Sequence, residues 1–365
     1  MKKPLIRIRD GRSVRLSLFA ILLGLLAGAV LILTIGGNPF VSYWHMFRGG
    51  LMDLSRIGTA LASATNLVLT GLSVAFAFRT GLFNIGAAGQ MLAGAMTVTA
   101  IGLSIPVGAL PRPFVLLLMV LAAGLAGALW GVVPGLLKAK FNAHEVVTCI
   151  MMNWIAYNLV SWLIPAYFAS NLPSETPLIP KEHLLRTGWM ASIFGDNEYI
   201  NYGFFISLLM MVVVGFILNR TTLGYELKAV GFNRHAAEYA GIRVNRSMVL
   251  SMAVSGLLAG LAGATYYAGY ANKLVVGTLP AQGFDGIAIS LIGANTPTGV
   301  FLTALFFGIL HTGKGFMNAM TDTPPEIADT IIATIVYFAA TSILIERYGK
   351  VAAKWWKDRK GRKTP

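Results

Sequence analysis

Apolar positions in this chain come in long runs rather than in alternation. Runs near 16–36, 57–77, 86–103, 114–137, 146–168, 202–219, 247–271 and 328–346 are predominantly apolar. Hydrocarbon about 30 Å thick takes roughly 20 residues of helix per crossing. Two shorter runs, 284–294 and 297–312, flank a glycine-rich polar break at 293–299. An open strand edge cannot exist in lipid. The pattern therefore predicts an all-α, polytopic membrane helix bundle of about 10 transmembrane helices. No Ser/Gly linker or low-complexity stretch divides them, so 1–365 reads as a single transmembrane domain.

Composition agrees, with 56% hydrophobic and 12% charged residues and a mean hydropathy of +0.68. Charge placement orients the bundle. Lys and Arg concentrate before Ser17, at Arg79, Lys138 and Lys140, in 220–246 and from Arg347 onward, which puts both termini in the cytoplasm. The net charge of +14 is then a property of one membrane face and needs no nucleic acid to explain it. The basic ends, 1–15 and 347–365, read as cytoplasmic tails, with Lys354-Trp355-Trp356-Lys357 as an anchor to anionic headgroups. The apolar run after Arg15 reads as a retained helix, being about 21 residues long and without a clear Ala-x-Ala exit. Residues 169–201, with Pro173, Pro177, Pro180 and Trp189, form an external loop that reads as a partly ordered cap.

Little in the chain points to catalysis. The spans have no Asp, Glu, Lys or Arg at their middles, and Asp285 and Asp329 are placed at outer ends and Glu145 at an inner one. Proton or sodium coupling and a permanently charged substrate are disfavoured. Cys149, the single cysteine, reads as a small buried apolar residue. His45, His144, His183, His235 and His311 lie on separate segments, so no metal site and no catalytic residue is expected. Gly308-Ile-Leu-His-Thr-Gly313-Lys314-Gly315 imitates a phosphate loop, but Gly stands where Ser or Thr would hold magnesium, and it is placed after an apolar helix. The remaining chemistry is neutral. Asn66, Asn84, Gln90 and Asn153, with Tyr157 one helical turn beyond Asn153, suit an uncharged, hydroxyl-rich or heterocyclic solute along a substrate pathway. The alternative is interhelical hydrogen bonding within the bundle. Glycines 127, 131 and 135, and Ser251, Ser255, Ala259 and Gly263, read as stripes for close helix packing.

The charged insert 220–246 reads as two short helices, 225–230 and 234–239, punctuated by Gly224, Gly231 and Gly241, with Asn233 capping the second. Ala236 and Ala237 leave a small flat surface suited to another protein's groove. A helix lying on the lipid surface is the alternative.

These residues resemble a family, the permease subunits of bacterial ABC importers of the ribose and branched-chain amino acid type. The resemblance rests on Gly81-Leu-Phe-Asn-Ile-Gly86 with Gly89-Gln90, Glu145-Val-Val with Met151-Met-Asn153, and the insert's Gly224, Glu226, Ala229-Val-Gly231, Asn233, Ala236-Ala237 and Gly241-Ile242. Ser255 to Gly260, Gly283-Phe284, Gly286-Ile287-Ala288, Leu291-Ile292-Gly293 and Pro297-Thr298-Gly299 extend it. Within the family, Glu145-Val-Val with Met151-Met-Asn153 favours the nucleoside-type branch over the amino-acid branch, with a sugar as the alternative substrate. Ala88 departs from it where Glu is frequent, and Lys228 where Arg is usual. The resemblance implies a permease in the bacterial cytoplasmic membrane that hydrolyses nothing itself. Gly224, Glu226, Lys228, Gly231, Asn233, Ala236, Ala237, Gly241 and Ile242 would couple it to an ABC ATPase subunit, where ATP and magnesium would bind. A second permease subunit, like or unlike, and an extracytoplasmic solute-binding protein would complete the importer. A stand-alone carrier for a neutral solute is the contrasting class.

Overall fold

A computed structural model describes residues 10–321, 323–338 and 341, with side chains from 17 onward. The basic anchor at 354–357, the tail 347–365 and most of 1–15 lie outside the described residues. Among those described, the fold is all-helical apart from two isolated bridges. The helices are α1 (Asp10–Thr34), α2 (Pro39–Leu51), α3 (Leu54–Arg79), α4 (Ala87–Ser104), α5 (Arg112–Phe141), α6 (Glu145–Tyr167) and α7 (Gly188–Ile193). They continue as α8 (Gly203–Arg220), α9 (Thr222–Phe232), α10 (Arg234–Tyr239), α11 (Val244–Thr265), α12 (Gln282–Ile292) and α13 (Pro297–Thr321). Residues 325–338 are also helical.

Eight of the described helices are long and apolar enough to cross a membrane, and α12 is a shorter apolar helix. The run at 284–294, expected to be short, is a half-length helix of 11 residues. The sequence pattern truncates α13, which continues without interruption for 25 residues. The Gly308 to Gly315 stretch lies inside that helix rather than after one, so its backbone amides are not arranged as a loop. α2 was not anticipated. Its 13 residues interleave Phe40, Trp44 and Phe47 with Ser42, His45 and Arg48, so no long apolar run marks it. Asn38 accepts from the Phe40 amide at 3.0 Å and Pro39 opens the helix.

The described residues cluster into two compact units, one of residues 45–316, the other of the terminal segments up to Trp44 and from Met317. In the terminal unit, Gly24 and Gly28 of α1 allow close approach of Ile335 and Ile331. Tyr43 Oη donates to the Leu25 carbonyl at 2.6 Å.

The core of the 45–316 unit is α11, enclosed on two sides by small residues. A Cβ added at Gly127 or Gly131 of α5 would strike the Gly256 and Met252 carbonyl oxygens, so these two backbones touch. On the adjoining face, Ser251 and Ser255 meet α3 and the turn after it, and Gly263, two turns beyond Gly256, abuts Met91 of α4. Without a hydrophobic drive inside lipid, such contact is what holds spanning helices together. Capping fixes the ends: Asp53 accepts from the Arg56 amide at 2.7 Å, and Asn142 closes α5 in a left-handed conformation, φ 51°.

The segment 169–201 is well tied down. His183 Nδ1 lies 2.9 Å from the Gly102 carbonyl oxygen, and Arg186 donates to the Gly269 and Tyr270 carbonyls at 2.6 Å each. Burial lowers the Arg186 pKa, and Glu198 pulls it the other way. Arg112, Lys181, Glu182, Arg186 and Glu198 help to line a cavity of about 780 Å³ there.

Candidate functional site

Three places concentrate polar or exposed chemistry in the 45–316 unit. The first is the charged segment 220–246. Thr221 caps α9, accepting from the Gly224 amide at 3.2 Å, and Asn233 caps α10, accepting from the Ala236 amide at 3.1 Å. Gly241, at φ +81°, ends α10, its amide donating to the Glu238 carbonyl at 2.9 Å. Leu227, Val230 and Ala237 are buried, and the last two join a cluster with Ala77, Leu82, Cys149 and Met248. Ala237, 3% exposed, is thus spent on the chain's own bundle and adds nothing to the expected outward surface, whereas Ala236 is exposed.

The outward face is aromatic instead. Tyr225, Phe232 and Tyr239 are 71%, 73% and 95% exposed on a segment otherwise rich in charge. Sequence reading did not single them out, although large aromatics between charges on a short extramembrane helix were the available signal. The inner face meets the end of α3. A Cβ at Gly231 would strike the Arg79 carbonyl oxygen and come within 3.0 Å of the Gly81 amide nitrogen. Glu226 and Lys228 are half-buried, and Lys228 donates to Asn219 Oδ1 at 3.0 Å. Burial lowers the Lys228 pKa, and the nearby Arg79 charge lowers it further.

The second place is a buried amide network. Asn84 Nδ2 donates to Gln90 Oε1 at 2.8 Å and to Ser255 Oγ at 2.6 Å, while Asn84 Oδ1 accepts from the Gly86 amide at 3.0 Å. Asn153 accepts from the Gly89 amide at 2.8 Å and donates to the Ile85 carbonyl at 3.1 Å. Asn66 accepts from Thr265 Oγ1 at 2.9 Å. All four amides are at most 3% exposed, so in this conformation they join α3, α4, α6 and α11 to one another. Tyr157 stands apart from them. Its hydroxyl lies 3.5 Å from where a Gly277 Cβ would be.

Gly277 belongs to the third place, an interruption between α11 and α12. After a π-helical turn, Tyr266–Ala271, residues 272–281 have no regular helix. They leave the 169–201 segment, where the Thr176 amide donates to the Leu274 carbonyl at 2.9 Å, and reach Ser161 and Tyr157 well within α6. α12 then starts part-way down the bundle. Gly286 packs on Thr70, beyond the midpoint of α3, and α12 ends beside Asn295, whose carbonyl accepts from Arg79 at 2.7 Å. Eleven residues of helix rise only about 16 Å. Asp285 is therefore not at an outer end, as the sequence pattern placed it, but level with the middle of α3, part-exposed and 3.8 Å from His311 Nε2 of α13.

Residues 56–340 match the family described as branched-chain amino acid transport system / permease component. The chain is 39% identical to the nucleoside ABC transporter permease protein NupB of Lactococcus lactis subsp. cremoris, over 92% of this chain and 93% of that one. It is 40% identical to the guanosine ABC transporter permease protein NupP of Bacillus subtilis, over 90% and 93%. The glucose ABC transporter permease protein TsgB13 of Haloferax volcanii is 30% identical over 94% and 91%. No solved structure matches.

Proposed function

This chain belongs to the branched-chain amino acid transport system / permease component family, and from that premise we propose that it is the membrane-spanning subunit of an ATP-driven nucleoside importer. It is a multi-pass integral membrane protein. What carries the nucleoside reading is near-40% identity along nine-tenths of the chain to two permeases named for nucleoside and guanosine. A sugar remains the second substrate class, supported by the weaker similarity to a glucose permease.

ATP and magnesium bind and react in a separate ATPase subunit, which docks on α9 and α10. Gly224, Glu226, Lys228, Gly231, Asn233, Ala236, Gly241 and Ile242 shape that segment, and Tyr225, Phe232 and Tyr239 supply its exposed aromatic surface. Ala237 holds the segment to the bundle from beneath. Closure of the ATPase pair moves α9 against the end of α3 and shifts the helices between outward and inward access. A binding protein on the outer side delivers the solute, and a second permease completes the pair. Asn66, Asn84, Gln90 and Asn153 keep the pathway helices in register, and Tyr157 lies where the path passes Gly277.

Reconstitution tests this directly. Guanosine uptake into vesicles is expected to require the binding protein, the ATPase and ATP. Uptake by this chain alone down a guanosine gradient would place it among stand-alone carriers and refute the importer reading.

A further inference from the structure

We propose that the exposed face of α6 around Trp154 and Asn158 is the seam on which the second permease subunit packs, with hydrogen-bonding groups of that subunit meeting both side chains at mid-membrane. The identity of the occupant rests on the importer reading above. Trp154 and Asn158 lie two residues either side of Ala156, the midpoint of the 23-residue helix, so each is about 3 Å from its centre. They are one turn apart on one face, and both are exposed, Trp154 by 52%. Their hydrogen-bonding capacity is only partly used. Asn158 Nδ2 donates to the Trp154 carbonyl at 2.8 Å, but Asn158 Oδ1 and the Trp154 indole N–H have no partner among the described residues. Hydrocarbon offers unpaired polar atoms nothing, and a tryptophan facing lipid favours the headgroup level. The other exposed faces show what contact with lipid requires. On α5 every exposed residue from Phe114 to Leu136 is Phe, Leu or Val, and the same holds on α8 from Phe205 to Phe216. α6 breaks that rule at its middle.

A second, independent ground is the non-helical stretch against the same helix. The Gly277 amide donates at 3.4 Å to Ser161 Oγ, one turn beyond Asn158, and Gly277, Thr278 and Ala281 are exposed. The Thr278 backbone amide and carbonyl have no partner among the described residues. Irregular backbone at membrane depth is tolerated only where protein buries it or water reaches it. Composition chooses protein. Met151, Ile155, Leu159 and Trp162 surround the amide and are all exposed. Apolar and tryptophan side chains around a few hydrogen-bonding atoms make a protein contact, whereas the wall of an aqueous path would be polar throughout. Only a partner that itself spans the membrane reaches this depth. Of the importer's parts, that is the second permease.

The test places a photo-crosslinking amino acid at Ile155, and in parallel at Leu125 on the aliphatic face of α5, in membranes carrying the complete transporter. Ile155 is expected to give an intermolecular adduct that mass spectrometry identifies as a permease subunit, a second copy of this chain or a sister, and Leu125 adducts to lipid alone. Adducts to lipid alone at both positions overturn the seam. Asn158→Leu measures the pairing through energy transfer between labelled permease subunits as lipid dilutes them. Dissociation is expected to rise about 3- to 30-fold, with Asn158→Gln recovering most of the loss. Association as tight as wild type in Asn158→Leu overturns the role of the amide. Asn158→Cys in a Cys149→Ala background tests for water instead. A membrane-impermeant thiol reagent is expected to label it at least about tenfold more slowly than Val107→Cys, between α4 and α5. Equal rates overturn the protein cover. Failure of the importer reading looks different, since uptake would then be independent of ATP with the adduct still present, whereas ATP-driven uptake without the adduct refutes the seam alone.

Discussion

Gly231→Ala is the sharpest perturbation of the coupling segment, because one methyl group meets backbone rather than flexible side chain. The added Cβ would collide with the Arg79 carbonyl oxygen and lie 3.0 Å from the Gly81 amide nitrogen and the Thr80 carbonyl carbon. Comfortable separations for such pairs are about 3.5 Å, and the clash with the Arg79 carbonyl oxygen is the tightest, so α9 must lift from α3 by about 1 Å. Gly81 cannot readily give way, since its φ of +73° already fixes the turn, and Leu227 and Val230 lose packing as α9 lifts. Overpacking of this kind costs about 1–3 kcal/mol. Set against the docked arrangement alone, that corresponds to about 5- to 150-fold in the coupling equilibrium. The assay is ATP-driven guanosine uptake beside ATP hydrolysis in the same membranes. Uptake is expected to fall at least about fivefold while the ATPase still co-purifies, since the aromatic face is untouched. Wild-type uptake per ATP hydrolysed would refute the idea that the α9–α3 contact transmits the stroke.

Phe232→Ala with Tyr239→Ala is expected to abolish co-purification of the ATPase while leaving the permease's thermal stability unchanged, because both rings are exposed. Asn84→Leu removes the centre of the amide network and strands Gln90, while Ser255 keeps its bonds to Ser73. Thermal unfolding in detergent should show a loss of about 1–3 kcal/mol, whereas altered solute preference at unchanged stability would make the amide a pathway group. Arg79→Met severs the tie to the Asn295 carbonyl, so ATPase binding should persist while uptake per ATP falls, and full uptake would count against that tie. Lys228 has a pKa depressed by burial and by Arg79, so the unfolded chain holds its proton to higher pH than the folded one. Stability then rises with pH between the lowered native value and the ordinary lysine range near 10.4, and Lys228→Gln should remove that alkaline rise in a pH series of unfolding midpoints.

Long apolar runs made most spans legible, as for α5 and α8, and local chemistry made the caps at Asn233 and the small-residue stripes legible. What escaped had a physical reason in each case. α2 is too short and too mixed to register as a run. α12 looked like a short crossing because an eleven-residue apolar stretch carries no mark of the depth at which it begins. That depth is set by Gly283 and Gly286 meeting Ala88 and Thr70, contacts remote in sequence. The same blindness put Asp285 at a membrane surface. Asn84 and Asn153 were legible as polar groups in apolar surroundings, but their partners come from loops and neighbouring helices that no spacing rule brings together.

The two ends of the proposed machine meet through a short series of contacts. α9 rests by Gly231 on the Arg79 and Gly81 backbone, and the Arg79 guanidinium reaches the Asn295 carbonyl in the turn between α12 and α13. That turn is compact: Asn295 Oδ1 accepts from Ser290 Oγ at 2.6 Å, and Gly293 and Gly299 touch through backbone, so a displacement there cannot be absorbed locally. α12 leads from this turn directly to Asp285 and the open stretch before it. Closely packed backbone transmits small shifts because it has few intermediate arrangements. The loop-to-α3 contact and the contact of α3 with the turn after α12 share one residue, Arg79, so a push on α9 reaches α12 without passing through the amide network. This division explains why so many polar groups in the spans are fully paired. They join α3, α4, α6 and α11, while α12 is gripped through backbone at both ends, by Ala88 and Thr70 at Gly283 and Gly286 and by the Gly293–Gly299 turn, so it moves with its neighbours as a unit.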